Sequence, residues 1–269
     1  MRLDDVRGFV FDIDGTLIHR AGDDVHVQPG ALEVLERIRS SGRRFVLFTN
    51  GSHLPPAAFA EVLRAVGLPV EDDDVLTPLC SLRAYLNGRR GSGSVLLFGT
   101  GPARAYLESV GVRLVAAADA AAADAVFVAH PERFDFDDVE RAARGILGGA
   151  RLLTGSYAPA YAGADGPILS RGAMLTAALA KATGARPVVV GKPSRAALHA
   201  ISERLGAPPH ELAVIGDDAG MDIALGNLGG ARTVLVRSGI SGAIDLERLR
   251  PRSRPHAVVD GVAELLDVL

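Results

Sequence analysis

The sequence predicts an α/β protein built on a doubly wound parallel sheet. Apolar strand-like runs alternate with amphipathic helix-like runs along almost the whole chain. Several runs are continuously apolar, as strands covered on both faces are: Ala213-Val214-Ile215 and Thr233-Val234-Leu235-Val236 are examples. Polar residues stand directly after such runs, where ligands bind in an open parallel sheet.

The first strand is expected at Val6 to Phe11, delivering Asp12, with a helix at Pro29 to Ser41. A strand at Arg44 to Thr49 and a helix at Pro55 to Val66 complete the first βαβ rhythm. A second α/β series occupies the middle: Ser94 to Phe98, Ala103 to Val110, Ala125 to Ala129, Phe136 to Leu147 and Arg151 to Thr154. The alanine-rich piece Ala116 to Ala125, broken by Asp119 and Asp124, reads as a short helix or loop edge. Val188-Val189-Val190, then Ala213 to Ile215 and Thr233 to Val236, return to the strand pattern.

With 269 residues, 48% of them apolar, and a formal net charge of −3, the chain is globular and long enough for a substantial core. Its scattered Lys and Arg argue against nucleic acid or an anionic membrane as partner, and Arg248 to Arg254 reads as a solvated turn. The single cysteine, Cys80, excludes an intrachain disulfide and fits a reducing compartment. No stretch approaches the ~20 apolar residues that span a bilayer, and Met1 to Gly8 lacks signal-peptide form. The expectation is a soluble, cytoplasmic protein.

Four places carry polar residues at strand ends: Asp12 and Asp14; Thr49-Asn50-Gly51; Lys192; and Asp217. Each has a plain reading as a turn or helix cap. Taken together they define one site. Asp12 and Asp14, two apart, point roughly the same way, and like charges so placed favour a divalent cation, a shared proton, or both.

These residues resemble the four motifs of the haloacid dehalogenase superfamily: Asp12-Ile13-Asp14-Gly15-Thr16, Thr49, Lys192, and Gly216-Asp217-Asp218-Ala219-Gly220-Met221-Asp222. Thr49-Asn50-Gly51-Ser52 and Gly191-Lys192-Pro193-Ser194 resemble the NagD-like branch, subfamily IIA, which includes 4-nitrophenyl, phosphoglycolate and pyridoxal phosphatases. That branch implies a Rossmann-like core with a large α/β cap inserted between the second and third motifs. Lys192 follows Asn50 by 142 positions, far more than one crossover needs. The expected division is core 1–80, cap 81–185, core 186–269.

The resemblance implies a Mg²⁺-dependent phosphatase acting on a small phosphorylated metabolite. Mg²⁺ would be held by Asp12, Asp217 and the backbone carbonyl of Asp14. Asp12 would be the nucleophile and Asp14 the general acid and base. Thr49 and the amides of Asn50 and Gly51 would bind phosphate oxygens together with Lys192. Asp222 would orient Lys192 or a metal-bound water, and Asp218 would touch the metal's waters or cap a helix. The branch's Thr-Asn-Pro-Asp cap segment is replaced here by Thr154-Gly155-Ser156-Tyr157. Tyr157, Tyr161, Asp165 and Arg171 are therefore the candidate specificity residues, Arg171 being suited to a second anionic group. His130 reads as a satisfied structural histidine. Cap-mediated dimers occur in this branch, which sets the expectation of a homodimer through the cap.

Other readings fit less well. A receiver-like signalling module is one small domain with its phosphorylated Asp after a later strand. For a dinucleotide-dependent dehydrogenase, Gly99-Thr100-Gly101-Pro102 is only a partial fingerprint, placed mid-chain. A phosphotransferase or mutase, or a non-catalytic phosphate-ester-binding regulator on the same fold, remains the alternative.

Overall fold

The computed structural model describes residues 2–21, 24–87, 93–163, 166–241 and 244–269. In chain order the core opens with β1 (Gly8–Phe11), then the hairpin β2 (Ile18–Ala21) and β3 (Asp24–Val27). Next come α1 (Ala31–Ser40), β4 (Arg44–Phe48), α2 (Pro56–Ala65), β5 (Val75–Leu76) and α3 (Pro78–Asn87). The middle of the chain contributes β6 (Val95–Phe98), α4 (Gly101–Ser109), β7 (Leu114–Val115), β8 (Ala125–Val128), α5 (Phe136–Leu147) and β9 (Arg151–Thr154). A second hairpin, β10 (Ala160–Gly163) and β11 (Gly166–Leu169), leads to α6 (Arg171–Thr183) and β12 (Val188–Val189). The chain returns through α7 (Arg195–Leu205), β13 (Leu212–Gly216), α8 (Ala224–Gly229), β14 (Arg232–Val236) and β15 (Ala257–Val259).

These strands form two parallel sheets. The core sheet has the order β15-β14-β13-β1-β4-β5, and the cap sheet the order β12-β9-β8-β6-β7. Core strand β1 lies centrally between β4 and β13, with Phe11 level with Leu47 and Ile215. All four β1 residues are buried. Side chains alternate between faces: Phe9 and Phe11 join Leu35, Ile38, Leu47 and Ile215 on one side, while Val10 joins Phe48, Ile201 and Val214 on the other. The two apolar layers fix the sheet's register, since a slip of one residue would exchange them.

Helix starts follow the sequence signals. Ser194 caps α7, its hydroxyl accepting from the Ala197 amide at 3.0 Å, and Ser170 caps α6 in the same way. Before α1, Gly30 has φ +81°, and a Cβ there would lie 2.5 Å from that of Ala263. The alanine-rich segment forms a 3-10 turn over Ala117–Ala122 against α5, whose Gly145 admits the Ala120 carbonyl where a Cβ would come within 2.6 Å.

The domain limits move at both ends. A boundary after residue 80 cuts α3, whose Leu79 and Leu82 pack with cap residues Val95, Leu97 and Phe127. A boundary at 185 excludes β12, which pairs with β9 and belongs to the cap sheet. The return to the core is therefore Val190 to Lys192, so a cap strand runs almost directly into the motif lysine. None of the described helices is long and apolar enough to cross a membrane.

Candidate active site

Parallel pairing of β1 with β4 and β13 brings Asp12, Thr49 and Asp217 to one edge of the core sheet. The Asp12 amide donates to the Ile215 carbonyl at 2.9 Å, which continues the ladder one residue into the site. Lys192, 3% exposed, enters from the cap junction. Its ammonium donates to Asp12 Oδ1 at 2.5 Å, to Asp222 Oδ1 at 2.7 Å and to the Phe48 carbonyl at 2.7 Å. These use all three ammonium protons. Asp222 also accepts the Asp218 amide at 3.0 Å. This approach requires Gly216, because a Cβ there would lie 2.3 Å from the Asp222 carboxyl.

Asp12, Asp217 and Asp222 each offer an oxygen within 4.8 Å of the others. Burial pushes the Asp12 carboxyl well above the usual range, against the opposing Lys192 charge, and Asp222 and Asp217 add to the push. Burial followed by Asp222 pushes Asp217 up to about 7. Burial disfavours the Lys192 ammonium, but Asp12 and Asp222 outweigh it and hold the lysine above its ordinary value. Two buried carboxylates and the largely covered Asp12 thus face one cation.

That imbalance fits a divalent metal, and the oxygens left over show where. Asp222 is taken up by Lys192 and the Asp218 amide, and Asp12 Oδ1 by Lys192. Asp12 Oδ2 has only a 3.5 Å contact with the Thr16 hydroxyl. Asp217 Oδ2 accepts the Ile240 amide at 2.7 Å, leaving Oδ1 without a hydrogen bond among the described residues. The Asp14 carbonyl is likewise unpaired among them. Asp12, Asp217 and the Asp14 carbonyl are therefore the donors that would hold Mg²⁺.

The loop after β14 is part of the site, although its strand end is not among the four places singled out in the sequence. It supplies the Ile240 amide, and the Ser238 hydroxyl donates to the Gly15 carbonyl at 2.7 Å. Gly239 lies so close that a Cβ would fall 1.9 Å from Asp217 Oδ2. Gly239→Ala is expected to keep the fold but displace Asp217, weakening Mg²⁺ binding at least tenfold by calorimetry; unchanged affinity would remove Asp217 from the metal set.

The remaining motif residues fall into distinct positions. The Asp14 side chain stays out of the buried cluster, 47% exposed, in a 2.6 Å ion pair with Arg20 of β2. The Asn50 side chain clasps the Lys192 backbone: Oδ1 accepts its amide at 2.7 Å and Nδ2 donates to its carbonyl at 3.0 Å. Sequence reasoning had used only the Asn50 amide. Thr49 is buried, and its Oγ1 accepts the Gly51 amide at 3.0 Å. Asp218 caps the following turn, accepting the Gly220 and Met221 amides at 2.7 and 3.1 Å.

A cleft of about 300 Å³ opens beside Lys192, lined also by Pro193, Asp218, Met221 and, from the cap, Ser156 and Tyr157. Tyr157 is thus brought to the site. Tyr161 lies on β10 opposite Ile168, Arg171 opens α6, and Asp165 falls outside the described residues. His130 departs from expectation: its ring makes no hydrogen bond among the described residues and lies 5.4 Å, centroid to centroid, from His53 of the core. A larger groove of about 530 Å³, lined by Arg2, Asp4, Asp5, Arg232 and His256, lies at the opposite end of the sheet and holds none of these groups.

Residues 9–113 match the haloacid dehalogenase-like hydrolase family, and residues 189–265 match a second family described as hydrolase-like within the same superfamily. The two matches carry the Asp12 motif and Thr49 in one, and Lys192 and Asp217 in the other. The chain is a haloacid dehalogenase-like hydrolase. It is similar to ribonucleotide monophosphatase NagD of Escherichia coli strain K12, 29% identical over 263 residues covering 97% of this chain and 98% of that one. The structure of a 4-nitrophenylphosphatase from Thermotoga maritima superposes with a TM-score of 0.86 at 28% identity, covering 99% of both chains. A glycerol phosphate phosphatase from Mycobacterium tuberculosis, in complex with magnesium, superposes with a TM-score of 0.84 at 26% identity, over 97% of this chain and 77% of that one. These likenesses place this haloacid dehalogenase-like hydrolase in the NagD-like subfamily IIA, whose named members here are phosphatases.

Proposed function

We propose that this hydrolase cleaves a small-molecule phosphate monoester with Mg²⁺, through an aspartyl-phosphate on Asp12. The observation that carries this is the setting of the Asp12 carboxylate, which pairs with the Lys192 ammonium through Oδ1 and clusters with Asp217 and Asp222 at the strand ends. A phosphate dianion is repelled by such a carboxylate unless cations neutralise the site, and a bound Mg²⁺ supplies that neutralisation. The magnesium complex of the glycerol phosphate phosphatase supports the choice of ion.

Asp12 attacks phosphorus, the P–O(ester) bond breaks, and the phosphoryl group rests on the aspartate. Asp14, half exposed and outside the buried cluster, protonates the departing alkoxide. It then takes a proton from the water that attacks phosphorus, releasing phosphate and restoring Asp12. Thr49 and the Asn50 amide hold phosphate oxygens, the Gly51 amide joins them by exchanging the Thr49 hydroxyl it meets here for phosphate, and Lys192 balances the charge on the nucleophile. Asn50 keeps that lysine in place through its backbone clasp. Transfer to a second substrate instead of water would use the same residues.

On the cap, Tyr157 lines the cleft and Arg171 donates to the Glu132 carbonyl, two residues after His130; both read the leaving group. Exposed Phe136, Leu169 and Met174 on the cap support a homodimer formed through that domain. The lone Cys80 supports a reducing, cytoplasmic setting.

Phosphate release from sugar phosphates, nucleotides, phosphoglycolate, pyridoxal phosphate and 4-nitrophenyl phosphate, with Mg²⁺ or with EDTA, tests the proposal. Release is expected with Mg²⁺ and at least a hundredfold less with EDTA. Equal release under both conditions would exclude the metal's role, and no release from any ester by folded protein would exclude hydrolysis.

A further inference from the structure

We infer that His53, His130 and Arg171 form a leaving-group subsite for a second anionic group, a carboxylate or phosphate carried by the alcohol half of the ester. This rests on the phosphatase reading and names the substrate class.

His53 and His130 meet at the seam between the domains, and Arg171 reaches the Glu132 carbonyl, two residues beyond His130. His53 lies on the core two residues after Gly51, and His130 follows cap strand β8. Their rings stand 5.4 Å apart at 52°. The edge of Phe59, 5.3 Å away at 78°, holds His53 from the core side. The Thr100 hydroxyl donates to the His53 carbonyl at 2.6 Å, tying the same loop to the cap. Both rings are half-buried, yet neither makes a hydrogen bond to a described residue. Two imidazoles held this way at the site's margin have unused hydrogen-bonding capacity for a ligand.

The surrounding charge favours an anion. Burial lowers both histidines; His130 and Arg20 then depress His53, with Asp14 opposing, and Arg171 depresses His130, with Glu132 opposing. Arg20 is committed to Asp14, whereas Arg171 makes no ion pair among the described residues. Its Nη1 donates only to the Glu132 carbonyl, at 3.4 Å. An arriving carboxylate or phosphate would meet a guanidinium without a carboxylate partner among the described residues, and two rings able to donate. A neutral hydroxyl would satisfy the rings and leave Arg171 uncompensated. His53 follows the phosphate-loop residue Gly51 by two positions and its ring meets that of cap residue His130, so the subsite lies between the phosphate loop and the cap, where a leaving group would extend.

The test compares two esters of nearly equal shape, 2-phosphoglycolate and 2-hydroxyethyl phosphate, binding to Asp12→Asn protein with Mg²⁺ by calorimetry. The anionic ester should bind at least about tenfold more tightly, and Arg171→Gln or His130→Gln in the same background should shrink that gap to threefold or less. Equal affinities, or a gap that survives both substitutions, would overturn the subsite. Turnover of 4-nitrophenyl phosphate by the unsubstituted protein keeps the two readings apart. Turnover with equal affinities leaves the phosphatase standing and removes the subsite. Selective, Arg171-dependent binding without turnover does the reverse.

Discussion

Asp12→Asn will abolish phosphate release, by about 10⁴-fold or more, while the protein stays folded and, without Mg²⁺, becomes at least as stable as the parent. Activity falls because the amide is a poor nucleophile toward phosphorus. Stability holds because Asp12, Asp217 and Asp222 crowd around one ammonium, and burial already pushes Asp12 and Asp217 upward. Asparagine keeps the shape and can still accept from Lys192, but removes one of the charges that repel one another. Adding Mg²⁺ should raise the melting temperature of both proteins, and that of the parent more, because the asparagine amide keeps a ligand oxygen but not its charge. Thermal unfolding with and without Mg²⁺, beside a phosphate-release assay, checks both halves. A variant that melts well below the metal-free parent would mean that Asp12 holds the fold together.

Lys192→Met will do the opposite to stability. The lysine is buried with Asp12 and Asp222 as ion-pair partners, and its third proton satisfies the Phe48 carbonyl. Methionine matches the chain length but leaves two carboxylates facing each other and a carbonyl without its donor. Removing one member of a buried ion network costs about 3–5 kcal/mol, which for a protein of this size lowers the melting temperature by on the order of 10 °C. Turnover should fall by about 10³-fold, because a preorganised cation beside the transferring group is lost. Mg²⁺ should restore part of the stability but not the turnover. A melting temperature within 2 °C of the parent would show that the network contributes little to stability.

The central strands and the motif residues were legible because their signals are local. Gly8–Phe11, Arg44–Phe48, Leu212–Gly216 and Arg232–Val236 are apolar runs covered on both faces, and each stops where a polar residue begins. The hairpins Ile18–Ala21 with Asp24–Val27, and Ala160–Gly163 with Gly166–Leu169, were not. Their four-residue strands pair only with each other, outside either main sheet, so no long apolar run marks them. The first of them positions Arg20 against Asp14, a contact that spacing alone does not reveal. The Ile240 amide on Asp217 was hidden for a different reason: a backbone donor carries no residue signature. Gly239, the trace it leaves, looks like any turn glycine until the fold shows Asp217 where its Cβ would be. The Asn50 clasp was within reach of sequence reasoning in residue type, but its partner lies 142 positions away. The end of the cap is hard to read from sequence because Val188–Val189 pairs with β9 while Lys192, three residues on, serves the core site.

The central claim is that Asp12 carries the phosphoryl group. The most direct measurement uses Asp14→Asn protein, which lacks the base that activates water, mixed with Mg²⁺ and ³²P-labelled 4-nitrophenyl phosphate, whose leaving group needs no proton donor. After acid quench and peptide mapping, the account predicts covalent label on the peptide containing Asp12, released by hydroxylamine and absent when Asp12 is also changed to Asn. Nitrophenol release with no label on the protein, or label that persists without Asp12, would contradict it.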